Sequence, residues 1–168
     1  LRATPVFEKT DYLKGQGDAR YSAARVYQEN HLYEQAINLY EAALPLYVKC
    51  QDEYQQAATL NNSGAIYAEI GRPDDAMDRY SRALPLFVKF NDALGQGNIY
   101  LNRGSIHRNL GDLPKALEEY EQSLKLYRSI EDTQNEANVL TNMAMVYRDL
   151  NDTDTALAKY RQAHDIFQ

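Results

Sequence analysis

The sequence predicts an all-α solenoid of stacked antiparallel helix pairs, and three observations predict it. The first is a fixed period. Ala36, Ala76, Ala116 and Ala156 stand forty residues apart, as do Tyr40, Tyr80, Tyr120 and Tyr160. Tyr27, Tyr67, His107 and Tyr147 form a third register, and Ala24, Gly64, Gly104 and Ala144 a fourth. Self-similarity at such a spacing marks an array of small units rather than one central core. The second is a three-four spacing of apolar and small residues within each unit, which gathers them on one helical face. The third is punctuation. Gly71 is followed by Arg72 and Pro73, and Gly111 by Asp112 and Pro114. Glycine takes the left-handed conformation that ends a helix, and proline suits the first turn of the next.

Taken in order, residues 5–16 align with 45–56 and 85–96, with Pro5 on Pro45 and Pro85, and Phe7 on Tyr47 and Phe87. Residues 1–16 therefore read as the remnant of a preceding unit's second helix and an inter-repeat segment. Four repeats follow at 17–56, 57–96, 97–136 and a truncated 137–168, as in a single array cut from a longer one. In the second repeat, Leu60, Ser63, Gly64, Ile66, Tyr67 and Ile70 face one way on the first helix. Ala76, Met77, Tyr80, Ala83, Leu84 and Phe87 do so on the second, which ends near Phe90. Small residues at 64 and 76 let the two helices approach, and the tyrosines fill the adjoining holes.

Asp52, Asp92 and Asp132 sit where first helices need N-caps. Acidic residues gather near second-helix starts and basic ones near their ends, as the helix dipole favours. His31 and Asn151 hold the glycine position in two turns, so those turns are expected to be strained. Pro45 and Pro85 fall inside second helices, where each removes a donor and crowds the carbonyl of Glu41 or Ser81. A bend or local loosening is expected there and not at Lys125.

Composition excludes several function classes. The 168 residues carry a net charge of −6 and no run of Lys and Arg, which argues against nucleic acid and anionic membranes as partners. The one cysteine, Cys50, permits no intramolecular disulfide and reads as a half-buried helix-end residue. This fits a reducing, cytoplasmic setting. No apolar stretch approaches the roughly 18–20 residues that span a bilayer. His31, His107 and His164 share no helical face with a second ligand, no CxxC offers a zinc site, and no nucleophile–base set stands out. The GxG fragments at 15–17 and 95–97 lack a preceding strand and do not read as phosphate loops. Asn61–Ser63 and Asn151–Thr153 match the glycosylation pattern only at the level of chance. No enzyme, cofactor or metal is expected.

The spacing resembles the tetratricopeptide repeat, in which a small residue is followed by an aromatic three on. Alanine comes twelve after the small residue, an aromatic four beyond that, and alanine three further. Gly64, Tyr67, Ala76, Tyr80 and Ala83 match at every step. So do the sets beginning at Ala24 and Ala144, while the set beginning at Gly104 departs at His107 and Ser123. The usual period is about 34 residues, and the six extra here follow Ala83 and its equivalents, which implies longer helices. The lengthened form is similar to the LGN, kinesin-light-chain and bacterial signalling arrays.

The resemblance implies a right-handed superhelix whose first helices line a concave groove that binds a protein or peptide. The groove positions are then Asn62, Asn102 and Asn142, which form a ladder, with Tyr21, Arg25, Asn98, Leu101, Ser105, Asn138 and Met145. Arg108 and Arg148 complete the set. An Asn side chain offers a donor and an acceptor together and suits the backbone of an extended peptide. The alternative is that these side chains bond neighbouring helices or water. Arg108 and Arg148 pair either with carboxylates of a partner or with acids beside them, such as Asp149. Leu101 and Met145 form either apolar pockets or packing against the next unit. Two further readings are self-association through array ends carrying Phe7, Tyr160 and Phe167, and a regulatory sensor within a larger signalling protein.

Overall fold

The computed structural model describes residues 4–167, with side chains from Lys9 onward, so the side chains of Pro5 and Phe7 lie outside the described residues. Eight helices follow one another: α1 (Thr4–Glu29), α2 (Tyr33–Lys49), α3 (Glu53–Glu69), α4 (Pro73–Lys89), α5 (Ala93–Asn109), α6 (Leu113–Ser129), α7 (Thr133–Asp149) and α8 (Thr153–Asp165). No strand occurs among the described residues. The chain divides into two units, 1–90 and 91–168. In the first, α1 packs on α2, α2 on α3 and α3 on α4. In the second, α5 packs on α6, α6 on α7 and α7 on α8.

The forty-residue period has a simple structural origin. Helices α2 to α7 each contain 17 residues and are separated by three-residue turns. The turns obey one rule. Within hairpins, His31 (φ 57°), Gly71 (74°), Gly111 (81°) and Asn151 (62°) are left-handed, as expected. Between hairpins, Gln51 (58°), Asn91 (51°) and Glu131 (55°) are left-handed too, which no glycine announced. After His31, Gln51, Gly71, Gly111, Glu131 and Asn151 the next N–H reaches back to the carbonyl five before it. Leu32 bonds Tyr27 (2.9 Å), Arg72 bonds Tyr67 (2.8 Å) and Asp132 bonds Tyr127 (3.0 Å). This is the Schellman closure, and it falls on the repeat's aromatic positions. Asp52, Asp92 and Asp132 cap first helices, and Asp112 and Asp152 cap second helices as well.

One expectation differs from the structure. Helix α1 runs unbroken through 10–12, where the alignment places a turn. Tyr12 stands where Asp52 and Asp92 cap helices elsewhere, so nothing there offers a cap. Hairpins meet at 50–52, 90–92 and 130–132, a few residues before the repeat boundaries drawn from sequence. Neither Pro45 nor Pro85 interrupts its helix, since α2 and α4 have the length of α6, which carries Lys125 there. Both prolines lie on the exposed side, where water can serve the carbonyl that loses its helical donor.

The core is aromatic and small by turns. Tyr40, Tyr47, Tyr80, Tyr120 and Tyr127 are fully buried, with Ala24, Ala36, Ala76 and Ala116 beside the helix crossings. A Cβ on Gly64 would stand 2.8 Å from Tyr80, and one on Gly104 2.6 Å from Tyr120. Those glycines let the ring lie against the first helix's backbone.

Candidate functional site

The tyrosine bodies fill each hairpin's interior, and their hydroxyls emerge on the first helices. In the first unit, Tyr40 donates to Gln28 Oε1 (2.9 Å) and Tyr47 to Asp18 Oδ1 (2.9 Å). In the second, Tyr127 donates to Asn98 Oδ1 (2.7 Å), and Tyr120 lies 3.1 Å from Ser105 Oγ. Burial raises the pKa of Tyr40 and Tyr127 to about 12 and also raises those of Tyr47 and Tyr120, so all four hydroxyls stay protonated at neutral pH.

On the first unit's first-helix face stand Tyr21 and Arg25 of α1 and Asn62 of α3. Asn62 Nδ2 donates to the Tyr21 hydroxyl (2.8 Å), tying α3 to α1, and the Tyr21 ring meets Tyr40 edge-on at 5.6 Å. Arg25 is exposed and reaches Glu29 at 3.5 Å. Arg25, Gln28, Glu29 and Asn62 line a cavity of about 220 Å³.

The second unit gathers the other predicted residues on α5 and α7. Asn142 Nδ2 turns back to its own helix, donating to the carbonyl and side chain of Asn138 (3.0 Å each). Asn102 makes no side-chain hydrogen bond among the described residues and is half-buried. The three asparagines thus differ: one bridges helices, one bonds within its helix, and one is uncommitted. Arg108 donates through Nε to Asp149 Oδ2 (2.8 Å) and lies 3.7 Å from Met145 Sδ. Arg148 reaches the same carboxylate at 3.3 Å but is mostly exposed. The Arg108 hydrogen bond, with the charges of both arginines, holds Asp149 below the usual carboxylate range. Leu101 packs against this unit's core. Arg108, Leu101 and Asn62 thus all have contacts within the chain.

Sequence reasoning missed Gln28 and Asp18, and it missed the tyrosine hydroxyls that hold them. A signal was present. Tyr47 and Tyr127 oppose polar Asp18 and Asn98, whereas Phe87, in the same register, has Ala58 at the corresponding place. The GxG fragments also find their reason. A Cβ on Gly17 would lie 2.8 Å from Tyr47, and one on Gly97 2.9 Å from Tyr127. Among the described residues no group of three or more His, Cys, Asp or Glu is placed to hold a metal, and no helix is long and apolar enough to cross a membrane.

The tetratricopeptide repeat family model matches residues 17–87 and 95–168. The chain belongs to the tetratricopeptide repeat family. Solved structures similar to it include BtubC from P. vanneervenii, with 22% identity and a TM-score of 0.82, over 94% of this chain and 64% of that one. A second is PH0952 from Pyrococcus horikoshii, a Signal Transduction ATPase with Numerous Domains that carries a tetratricopeptide repeat sensor. It has 20% identity and a TM-score of 0.80, over 94% of this chain and 24% of that one. A third is a Rap protein complexed with competence and sporulation factor, with 20% identity and a TM-score of 0.78, over 88% and 42%. This chain thus spans less than two thirds of each of these structures. At these identities the likeness is one of fold. No curated protein matches the chain.

Proposed function

We propose that this repeat module holds an extended peptide or partner segment on its first-helix faces. The observation that carries the reading is Asn102. Asparagine is a mediocre helix former, yet Asn102 stands mid-helix, half-buried, with both its donor and its acceptor uncommitted. Asn98 lies one turn before it, and Ser105 nearly one turn after. A peptide's paired N–H and C=O would satisfy such an amide. The Rap protein's complex with competence and sporulation factor supports a binding role for the fold. The sensor within PH0952 supports a regulatory setting for it.

The test uses a peptide selected on the full chain from a random library. Asn102→Ala is expected to weaken its binding by about 1–3 kcal/mol, the cost of leaving buried polar groups unpaired, with melting unchanged. Binding as tight as the parent's would remove Asn102 from the site.

A second reading, self-association, rests on α8. Tyr160 is 36% exposed, where Tyr40, Tyr80 and Tyr120 are each at 0%, and Phe167 is 61% exposed. Both line a cavity of about 400 Å³ with Thr141 and Ala163. A second copy of this chain would bring to that face the apolar surface that it lacks. At the other end, the side chain of Phe7 lies outside the described residues.

A further inference from the structure

The first-helix faces owe their hydrogen-bonding character to residues of the second helices. An amide side chain can present either its oxygen or its nitrogen to a ligand. At Gln28 and Asn98 the oxygen is taken, by Tyr40 at 2.9 Å and Tyr127 at 2.7 Å. The nitrogens of both amides have no partner among the described residues. At Asn138, where the corresponding aromatic is Phe167, the oxygen is again occupied, this time by Asn142 Nδ2 at 3.0 Å. Three face positions in two units therefore show the same polarity. The tyrosine rings cannot withdraw, because Tyr40 and Tyr127 are fully buried and Gly97 lets the Tyr127 ring lie on the α5 backbone.

We propose that Tyr40 and Tyr127 are positioning residues. By holding the carbonyl oxygens of Gln28 and Asn98, they turn the two NH₂ groups outward and make these positions select hydrogen-bond acceptors, namely the backbone carbonyls of a bound peptide. The inference rests on the peptide-binding reading and deepens it. A tyrosine hydroxyl can donate or accept, and that of Tyr21 accepts from Asn62 Nδ2 at 2.8 Å, but those of Tyr40 and Tyr127 donate to the amide oxygens, which orders these amides before binding and spares that entropy. A Phe ring already stands in the same register, at position 87 opposite Ala58, so Tyr127→Phe is expected to fold.

Two measurements test it. In the free protein, nuclear magnetic resonance of the Asn98 side-chain amide is expected to show two well-separated proton signals that shift and broaden in Tyr127→Phe. Unchanged signals would overturn the proposal whether or not a peptide is in hand. With the library-selected peptide, Tyr127→Phe and Asn98→Ala are each expected to weaken binding about three- to tenfold, with unchanged melting. The double variant is expected to be no weaker than Asn98→Ala alone, since the hydroxyl acts through that amide. Multiplying effects would show that Tyr127 acts elsewhere and would overturn the proposal. If Asn102→Ala weakens binding and neither of these variants does, the peptide-binding reading stands and this one falls. If Asn102→Ala and Asn98→Ala both bind as the parent, the peptide-binding reading itself is lost, and this one with it.

Discussion

A residue's neighbours give opposite meanings to identical glycines. Gly104 lies under Tyr120, and an added Cβ would come within 2.6 Å of its ring, whereas a Cβ on Gly15 meets nothing within 4 Å. Gly104→Ala is therefore expected to cost about 1–3 kcal/mol by overpacking. Gly15→Ala is expected to gain up to about 1 kcal/mol from helix propensity. Urea unfolding of both variants checks the pair, and equal effects would remove the packing explanation for Gly104. The small/aromatic spacing made the Gly104–Tyr120 contact legible from sequence, because sterics act through residue size and register. The hydroxyl's destination was not legible in the same way. Tyr127 and Asn98 are 29 positions apart and meet only after two helices have folded together.

At the level of single elements, the turns explain what could and could not be read. Glycine announced two of the seven left-handed positions, and His31 and Asn151 followed by register. Gln51, Asn91 and Glu131 carry no such mark; the Schellman closure with its aspartate cap imposes the conformation of Gln51 and Glu131, and Asp92 caps the helix that follows Asn91. The caps make a pH prediction. The Lys115 ammonium beside Asp112 holds its carboxyl below the ordinary 3.8, and hydrogen bonds from Thr155 do the same for Asp152. A carboxyl lowered in the folded state contributes stability above its unfolded value and loses it as pH falls through the lowered one. Melting temperature is therefore expected to be level from neutrality to about pH 5 and to drop below about pH 4. Asp152→Asn keeps a capping oxygen that does not titrate, so its curve is expected to converge on the parent's toward acid. Curves that stay parallel down to about pH 2 would show no linkage at this cap.

For the molecule as a whole, the periodicity conveyed the pairing and the repeat family, whereas the nine helices it implied, a remnant at 1–16 and four pairs, are eight among the described residues because α1 runs on through 10–12. The forty-residue spacing reflects 17-residue helices and three-residue turns, and each turn was marked by a cap or a breaker in most copies. The candidate site was legible only as positions. Asn62, Asn102 and Asn142 share a register, but their bonding depends on their surroundings: Tyr21 on the neighbouring first helix for one, Asn138 one turn earlier on its own helix for another, no side chain among the described residues for the third. Arg108 likewise found Asp149 on the next first helix, 41 positions away. The self-association reading predicts a scattering mass that rises with protein concentration and stays monomeric in Tyr160→Glu. A parent that remains monomeric at high concentration would end that reading.

Helix length carries one more consequence. Seventeen residues of α-helix rise about 26 Å, while an extended strand advances about 3.3 Å per residue. A polypeptide laid lengthwise beside one such rod has a track of about eight residues before it meets the next bend. On the proposed peptide-binding reading, the six residues added to the ordinary repeat would lengthen the ruler against which a ligand is measured, and motifs much shorter than this would leave part of the track bare.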